Sequence, residues 1–82
     1  MYLEIITPDR RVFEGEVTSA QFPGSNGSFE VLNNHAPLIS TLDNGPLRVT
    51  PVTGAPKIFQ VDGGVVEVLD NKITVLAEAI IA

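Results

Sequence analysis

The chain has no cysteine, no tryptophan, one histidine and only five basic residues among 82. Each scarcity removes a class of function. Without cysteine there is no disulfide framework and no thiolate metal site. Secreted modules of this size are often cross-linked, so a reducing compartment is favoured. One histidine with dispersed acids gives no ligand spacing for zinc, and no calcium-loop pattern occurs. The bases (Arg10, Arg11, Arg48, Lys57, Lys72) are scattered apart from one adjacent pair, and ten acids bring the net charge to −5. A nucleic-acid surface needs clustered Lys and Arg to displace counterions, so that partner is not expected. The opening MYLEIITPDR has no basic segment followed by an apolar run, so it does not read as a signal peptide. No apolar stretch approaches the ~20 residues that span a bilayer. Membrane association, if any, is expected to go through a partner.

What is present reads as strands. A hydrophobic content of 44% suits one folded domain over residues 1–82 and argues against disorder. Leu3 and Ile5 alternate with Tyr2, Glu4 and Ile6; Phe29 and Val31 alternate with Ser28 and Glu30; Phe59 and Val61 alternate with Ile58 and Gln60. Ile73, Val75 and Ala77 alternate with Lys72, Thr74 and Glu78. Shorter runs lie at Val12–Gly15, Val17–Phe22, Leu38–Leu42 and Leu47–Val49. These period-two patterns are rich in β-branched residues. Turn clusters punctuate them at Pro8-Asp9, Pro23–Gly27, Asn33-Asn34, Asp43–Gly45, Thr53–Pro56, Asp62–Gly64 and Asp70-Asn71. Short strands between closely spaced turns indicate an all-β sandwich or barrel. Asp70-Asn71 predicts a tight hairpin, since both residue types tolerate positive φ. Pro51 predicts an edge or irregular position, and only Val75–Ala82 has helical propensity.

Candidate chemistry is sparse. His35 has the one side chain whose ordinary pKa lies near neutrality, but no nucleophile elbow and no cysteine accompany it. It reads as a loop-fixing or contact residue. The Gly24-Ser25-Asn26-Gly27 segment lacks the Gly-Lys-Ser/Thr ending of a phosphate loop, and its Asn26-Gly27-Ser28 glycosylation triplet reads as a plain turn. Glu14 and Glu16 share one strand face as solvated charges, without the opposing carboxylate a glycosidase requires. Phe22, Leu32, Leu38 and Ile39 fit either a core or an exposed contact patch, and both readings stay open. An enzyme is therefore not expected, and no cofactor is implied.

The segment Pro23–Gly45 (PGSNGSFEVLNNHAPLISTLDNG) carries the most specific signal. With Phe59-Gln60-Val61-Asp62-Gly63-Gly64-Val65-Val66-Glu67-Val68, Asn71–Glu78, Leu3–Pro8 and Val12–Gly15, it resembles the N-terminal β-domain of the epsilon subunit of rotary F-type ATP synthases, called delta in mitochondria. The resemblance covers nearly the whole chain in matching order. It implies a flattened sandwich of about ten short strands in two five-stranded sheets. It also implies a non-catalytic central-stalk subunit that couples proton flow to ATP synthesis, at the cytoplasmic face of a bacterial inner membrane. Expected partners are the gamma subunit and the c-subunit ring. Ring contact is expected from loops at one end of the sandwich, at Gly24, Ser25, Asn26, Gly27 and Ser28 with Asn33, Asn34, His35, Ala36 and Pro37. Gamma contact is expected at Leu38, Ile39, Ser40, Thr41 and Leu42 with Asp62, Gly63, Gly64 and Val65. Family members commonly carry Gly where this chain has Asn34. Longer members continue into a helix-turn-helix hairpin that is not expected within these residues, and without it no ATP binding is expected. Joint His35→Ala and Asn34→Pro replacement is expected to weaken coupling more than folding. The alternative reading is a free-standing β-sandwich that binds a small ligand or peptide, which a deep apolar pocket would favour.

Overall fold

The computed structural model describes residues 1–81, and they form six strands with no helix. These are β1 (Tyr2–Ile6), β2 (Arg11–Gly24), β3 (Gly27–Leu32), β4 (Leu38–Pro51), β5 (Lys57–Leu69) and β6 (Lys72–Ala77). Three of them, β2, β4 and β5, run 14, 14 and 13 residues, and each belongs to two layers. The first layer joins the start of β2 to β1, β1 to β6 in parallel, β6 to the end of β5, and that to the start of β4. The second joins β3, the end of β2, the end of β4 and the start of β5. Its fifth member is the segment after β6. Asp62 N–H donates to Ala79 O at 3.0 Å, Ile81 N–H donates to Gln60 O at 2.8 Å, and Val61 bridges Ile80. Ten segments in two five-stranded sheets therefore come from six strands and a tail.

This sharing of strands corrects several expectations. Asp43–Gly45 and Asp62–Gly64, read as turns, lie inside β4 and β5. They are the places where those strands pass from one sheet to the other, so the chain bends there without reversing. Gly64 has φ 141, and a Cβ built on it would lie 2.4 Å from the Leu76 carbonyl oxygen; only glycine fits. In β4 the register against β2 jumps from Gln21↔Arg48 to Gly24↔Leu42, beside Pro23, which has no N–H to offer a ladder. Val12–Gly15 and Val17–Phe22 are one continuous β2, and the stretch from Val75 to Ala77 is strand. Other signals hold as read. Asp70 and Asn71 have φ 51 and 61 and link β5 to β6 in a two-residue hairpin. Pro51 ends β4 beside the register shift between Val17 and Ser19.

Strand alternation sorts the side chains. Leu3, Ile5, Val66, Val68, Ile73 and Val75 project inward from the first sheet and meet Phe22, Val31, Leu47, Val49 and Val61 from the second; all are buried. No polar side chain among the described residues is buried. The open question about the apolar residues resolves position by position. Phe22 is core and stacks on Phe29 at 5.4 Å, Leu38 is half-buried against the core, and Leu32 and Ile39 are 54% and 74% exposed.

Candidate functional site

With the interior entirely apolar, function has to reside on the surface, and two surface zones stand out. The first is a rim running from Gly24 to Pro37. β3 is the last strand of the pairing order, so one of its edges is unpaired. At one end of it the Ser25–Asn26 tip is tied to β4: Ser25 N–H donates to Thr41 O at 3.0 Å, and Thr41 Oγ1 donates to Ser25 Oγ at 2.8 Å. At the other end Asn34, at φ 64, donates its N–H to Asn71 Oδ1 at 2.8 Å. The Asn33–Pro37 loop is thereby fixed to the β5–β6 hairpin. His35 N–H donates to Leu32 O at 3.2 Å, and its Nδ1 lies 2.7 Å from the Ala36 carbonyl, which assigns that nitrogen as the donor. The histidine thus secures its own loop through both its backbone and its ring.

The structure brings the ten expected ring-contact residues onto one rim but not to one end. Four residues of β3, Phe29–Leu32, about 13 Å of extended chain, separate Gly24–Ser28 from Asn33–Pro37. Gly24 is buried and His35 half-buried; the other eight are exposed. Asn34→Pro is also not the clean probe that the sequence suggested. Proline fixes φ near −65° and has no N–H, whereas Asn34 needs a positive φ and uses its N–H.

The second zone is the outer face of the first sheet. Of Leu38–Leu42, only Ile39 and Thr41 point outward; Leu42 is buried, and Leu38 and Ser40 are half-buried on the inner side. Of Asp62–Val65, Val65 is the outward residue, 38% exposed. The pairing register continues this face beyond the expected residues. Thr41 pairs with Val65, Val65 with Leu76, and Leu76 with Ile6, so an outward row, apolar in all but Thr41, crosses four strands. Leu76 is 55% exposed, and the row ends in a hollow of about 390 Å³ lined by Ile6, Thr7, Pro8, Leu76, Ala77 and Glu78. Ile6 and Leu76 were missed by sequence reading. Their signal was an apolar residue standing in the polar phase of an alternating strand, after Tyr2 and Glu4 in β1 and after Lys72 and Thr74 in β6.

Below this row the same face is charged. Arg11 Nε lies 2.9 Å from Glu4 Oε2, and its Nη1 lies 3.6 Å from Glu14 Oε1. The Tyr2 hydroxyl donates to Glu14, and Lys72 Nζ stands 5.9 Å over the Tyr2 ring. The Tyr2 phenol is held above its ordinary pKa, first by its hydrogen bond to Glu14, then by slight desolvation and the negative charge of Glu14 and Glu4. Side-chain pairs at so open a surface add little stability, because solvent screens them. What they supply is a fixed pattern of charge beside an apolar strip.

Comparison with known proteins bears on what such a body is for. Curated relatives named ATP synthase epsilon chain include those of Salinibacter ruber, 42% identical, and Pelotomaculum thermopropionicum, 48% identical, over 95% and 94% of this chain. The chain spans only 58% and 57% of the length of those two relatives, but 90% of the epsilon chain of Caulobacter vibrioides, to which it is 42% identical. In fold it matches a chain in the cryo-EM structure of the central stalk and c-ring of Tetrahymena thermophila mitochondrial ATP synthase. The TM-score is 0.85 at 20% identity, covering 99% of this chain and 65% of that one. A chain of the Euglena gracilis mitochondrial ATP synthase OSCP/F1/c-ring structure matches with TM-score 0.88 at 21% identity, covering 96% and 51%. The family model for the β-sandwich domain of the ATP synthase delta/epsilon chain matches residues 1–82, and the chain belongs to that family.

Proposed function

We propose that the chain is a non-catalytic rotor module of a proton-translocating F-type ATP synthase, seated between the gamma subunit and the c-ring. The observation that carries this reading is the family match over residues 1–82, with relatives named epsilon chain. Gamma docks on the outer face of the first sheet, on the row Thr41, Val65, Leu76 and Ile6 with Ile39 beside it. The ring lies against the β3 rim, touched by Gly24–Ser28 at one end and Asn33–Pro37 at the other. In this reading the module sits at the cytoplasmic face of a bacterial inner membrane, held there through its partners.

The mechanics follow from the body. Rotation of a ring reaches a shaft only if the connecting piece does not shear, and close-packed interiors deform little. Loops and an edge strand on such a scaffold supply contacts without chemistry. The test is to mix the chain with its cognate gamma subunit and measure the mass of the eluting species by light scattering. A stable one-to-one complex is the expected result; no complex, with the chain folded, overturns the gamma assignment. Ring contact is tested separately in the assembled enzyme. The chain has no cysteine, so Ser28→Cys and Asn33→Cys should each cross-link to ring loops, while Thr53→Cys, in the β4–β5 loop, should not. Equal yield at all three positions would refute the rim.

A further inference from the structure

Two Asn-Gly pairs occur in the chain, Asn26-Gly27 and Asn44-Gly45. Both carry the same latent chemistry. The backbone nitrogen of the glycine can attack the asparagine Cγ, forming a C–N bond and expelling the side-chain amide as ammonia. Water then opens the resulting succinimide at either carbonyl, leaving aspartate or isoaspartate. The reaction consumes one water, releases one ammonia and needs no enzyme, oxidant or metal. A following glycine favours it because no Cβ blocks the approach. The backbone must still leave strand geometry for the ring to close, and there the two sites differ.

Asn44 lies inside β4, with neighbouring strands on both sides. It pairs with Asp62 and Gly45 pairs with Val61, so β5 holds this stretch; on the other edge β2 lies alongside, but its register passes from Arg48 directly to Leu42. Gly45 is buried, and a Cβ built on it would lie 3.0 Å from Pro23 Cβ. Closing a ring there means opening the β4–β5 ladder in mid-strand. Asn26 stands at the tip of the β2–β3 hairpin. Asn26 and Gly27 are exposed, Gly27 has φ 120, and no atom lies within 4 Å of where its Cβ would be. The Gly24↔Gly27 pair is the last of its ladder, on a strand whose other edge is unpaired. The ties at the tip are that final pair and the two Ser25–Thr41 hydrogen bonds beside it, none of which engages Asn26 itself.

We infer that Asn26 is a built-in site of spontaneous deamidation in the folded protein, and that the β4 ladder protects Asn44. Conversion adds one negative charge to the hairpin tip and, as isoaspartate, lengthens the backbone of a two-residue turn. The inference rests on local geometry and stands whether or not the tip contacts a ring.

The test uses the native chain incubated in mildly alkaline buffer. Cleavage after Glu30 then puts the two asparagines on separate peptides for mass spectrometry and isoaspartate labelling. Loop tips open far more cheaply than paired strand interiors, so Asn26 should convert at least about tenfold faster than Asn44. In urea the two rates should converge, because the protection of Asn44 is structural. Asn26→Gln should abolish nearly all isoaspartate formed in the native state. Equal native rates, a faster Asn44, or a native Asn26 that stays intact while the unfolded chain reacts would each overturn the inference.

Discussion

Replacing Gly64 with alanine tests whether the bend that carries β5 between the sheets depends on a missing side chain. Gly64 sits at φ 141, a conformation other residues reach only at a cost of about 1–3 kcal/mol. The added Cβ would stand 2.4 Å from Leu76 O and 2.9 Å from Ala77 Cα, both backbone atoms of β6. No rotamer can relieve that contact, so the Gly64↔Ala77 pairing must shift. Overpacking of this kind adds about 1–3 kcal/mol. Against this, alanine restricts the unfolded chain and returns about 0.4–1 kcal/mol. The net loss is about 1–6 kcal/mol, centred near 3, a large part of the roughly 4–12 kcal/mol expected of a domain this size. Gly27→Ala is the matched control, because its φ is 120 but nothing lies within 4 Å of the new Cβ. It should lose only about 0–2.5 kcal/mol, centred near 1, through backbone strain alone. Each kcal/mol moves Tm by roughly 4–8 °C in a domain of this size. Thermal melts followed by circular dichroism should therefore place Gly64→Ala well below Gly27→Ala, and urea titration should repeat the order. Equal melting temperatures would refute the claim that β6 occupies the space above Gly64.

Three further outcomes are expected. Asn34→Gly should be close to neutral in Tm, because glycine keeps both the positive φ and the N–H that donates to Asn71, whereas Asn34→Pro should cost about 1–3 kcal/mol; proline as benign as glycine would contradict the loop geometry. Leu76→Asp should weaken gamma binding at least about tenfold, the equivalent of 1.4 kcal/mol, with Tm unchanged because Leu76 is 55% exposed; unchanged gamma affinity would remove the apolar row from the interface. The Tyr2 phenol is raised above its ordinary value by Glu14, so its contribution to stability is complete below that ordinary value of about 10 and is lost as pH rises through the higher folded value. Stability above pH ~10 should consequently fall more steeply in the native chain than in Tyr2→Phe, and parallel curves would show that the Tyr2–Glu14 bond does not form in solution.

What the sequence disclosed, and what it concealed, follows from the range of the interactions involved. Period-two alternation and Asp70-Asn71 are local signals, and both held. The Asp/Asn/Gly clusters at Asp43–Gly45 and Asp62–Gly64 look locally like hairpins, because a bend and a reversal both call for small, turn-tolerant residues. Only the pairing of β4 with β5 along eleven register positions shows that neither strand turns back there. The outer face proposed for gamma suffered the same ambiguity. A contiguous run such as Leu38–Leu42 cannot all face a partner, since the pleat sends alternate residues inward. Its true neighbours, Leu76 and Ile6, come from strands far along the chain. They join the face through a parallel β1–β6 pairing that nothing local in the sequence announces.

That shared architecture also bears on how the proposed rotor module would carry force. β2, β4 and β5 each run through both sheets, so sliding one layer over the other must bend three continuous backbones as well as disturb a packed core. The two contact zones are joined by a shorter route still. Thr41 belongs to the outer row through its pairing with Val65. Its carbonyl and hydroxyl are also the atoms that hold Ser25 at the hairpin tip, at 3.0 and 2.8 Å. A load applied at the tip therefore enters β4 at the residue that stands in the row assigned to gamma, without crossing the core. In this reading the small polar pair Ser25 and Thr41 does what the apolar interior alone could not: it fixes a protruding two-residue turn to the rigid body at the point where a ring would push on it.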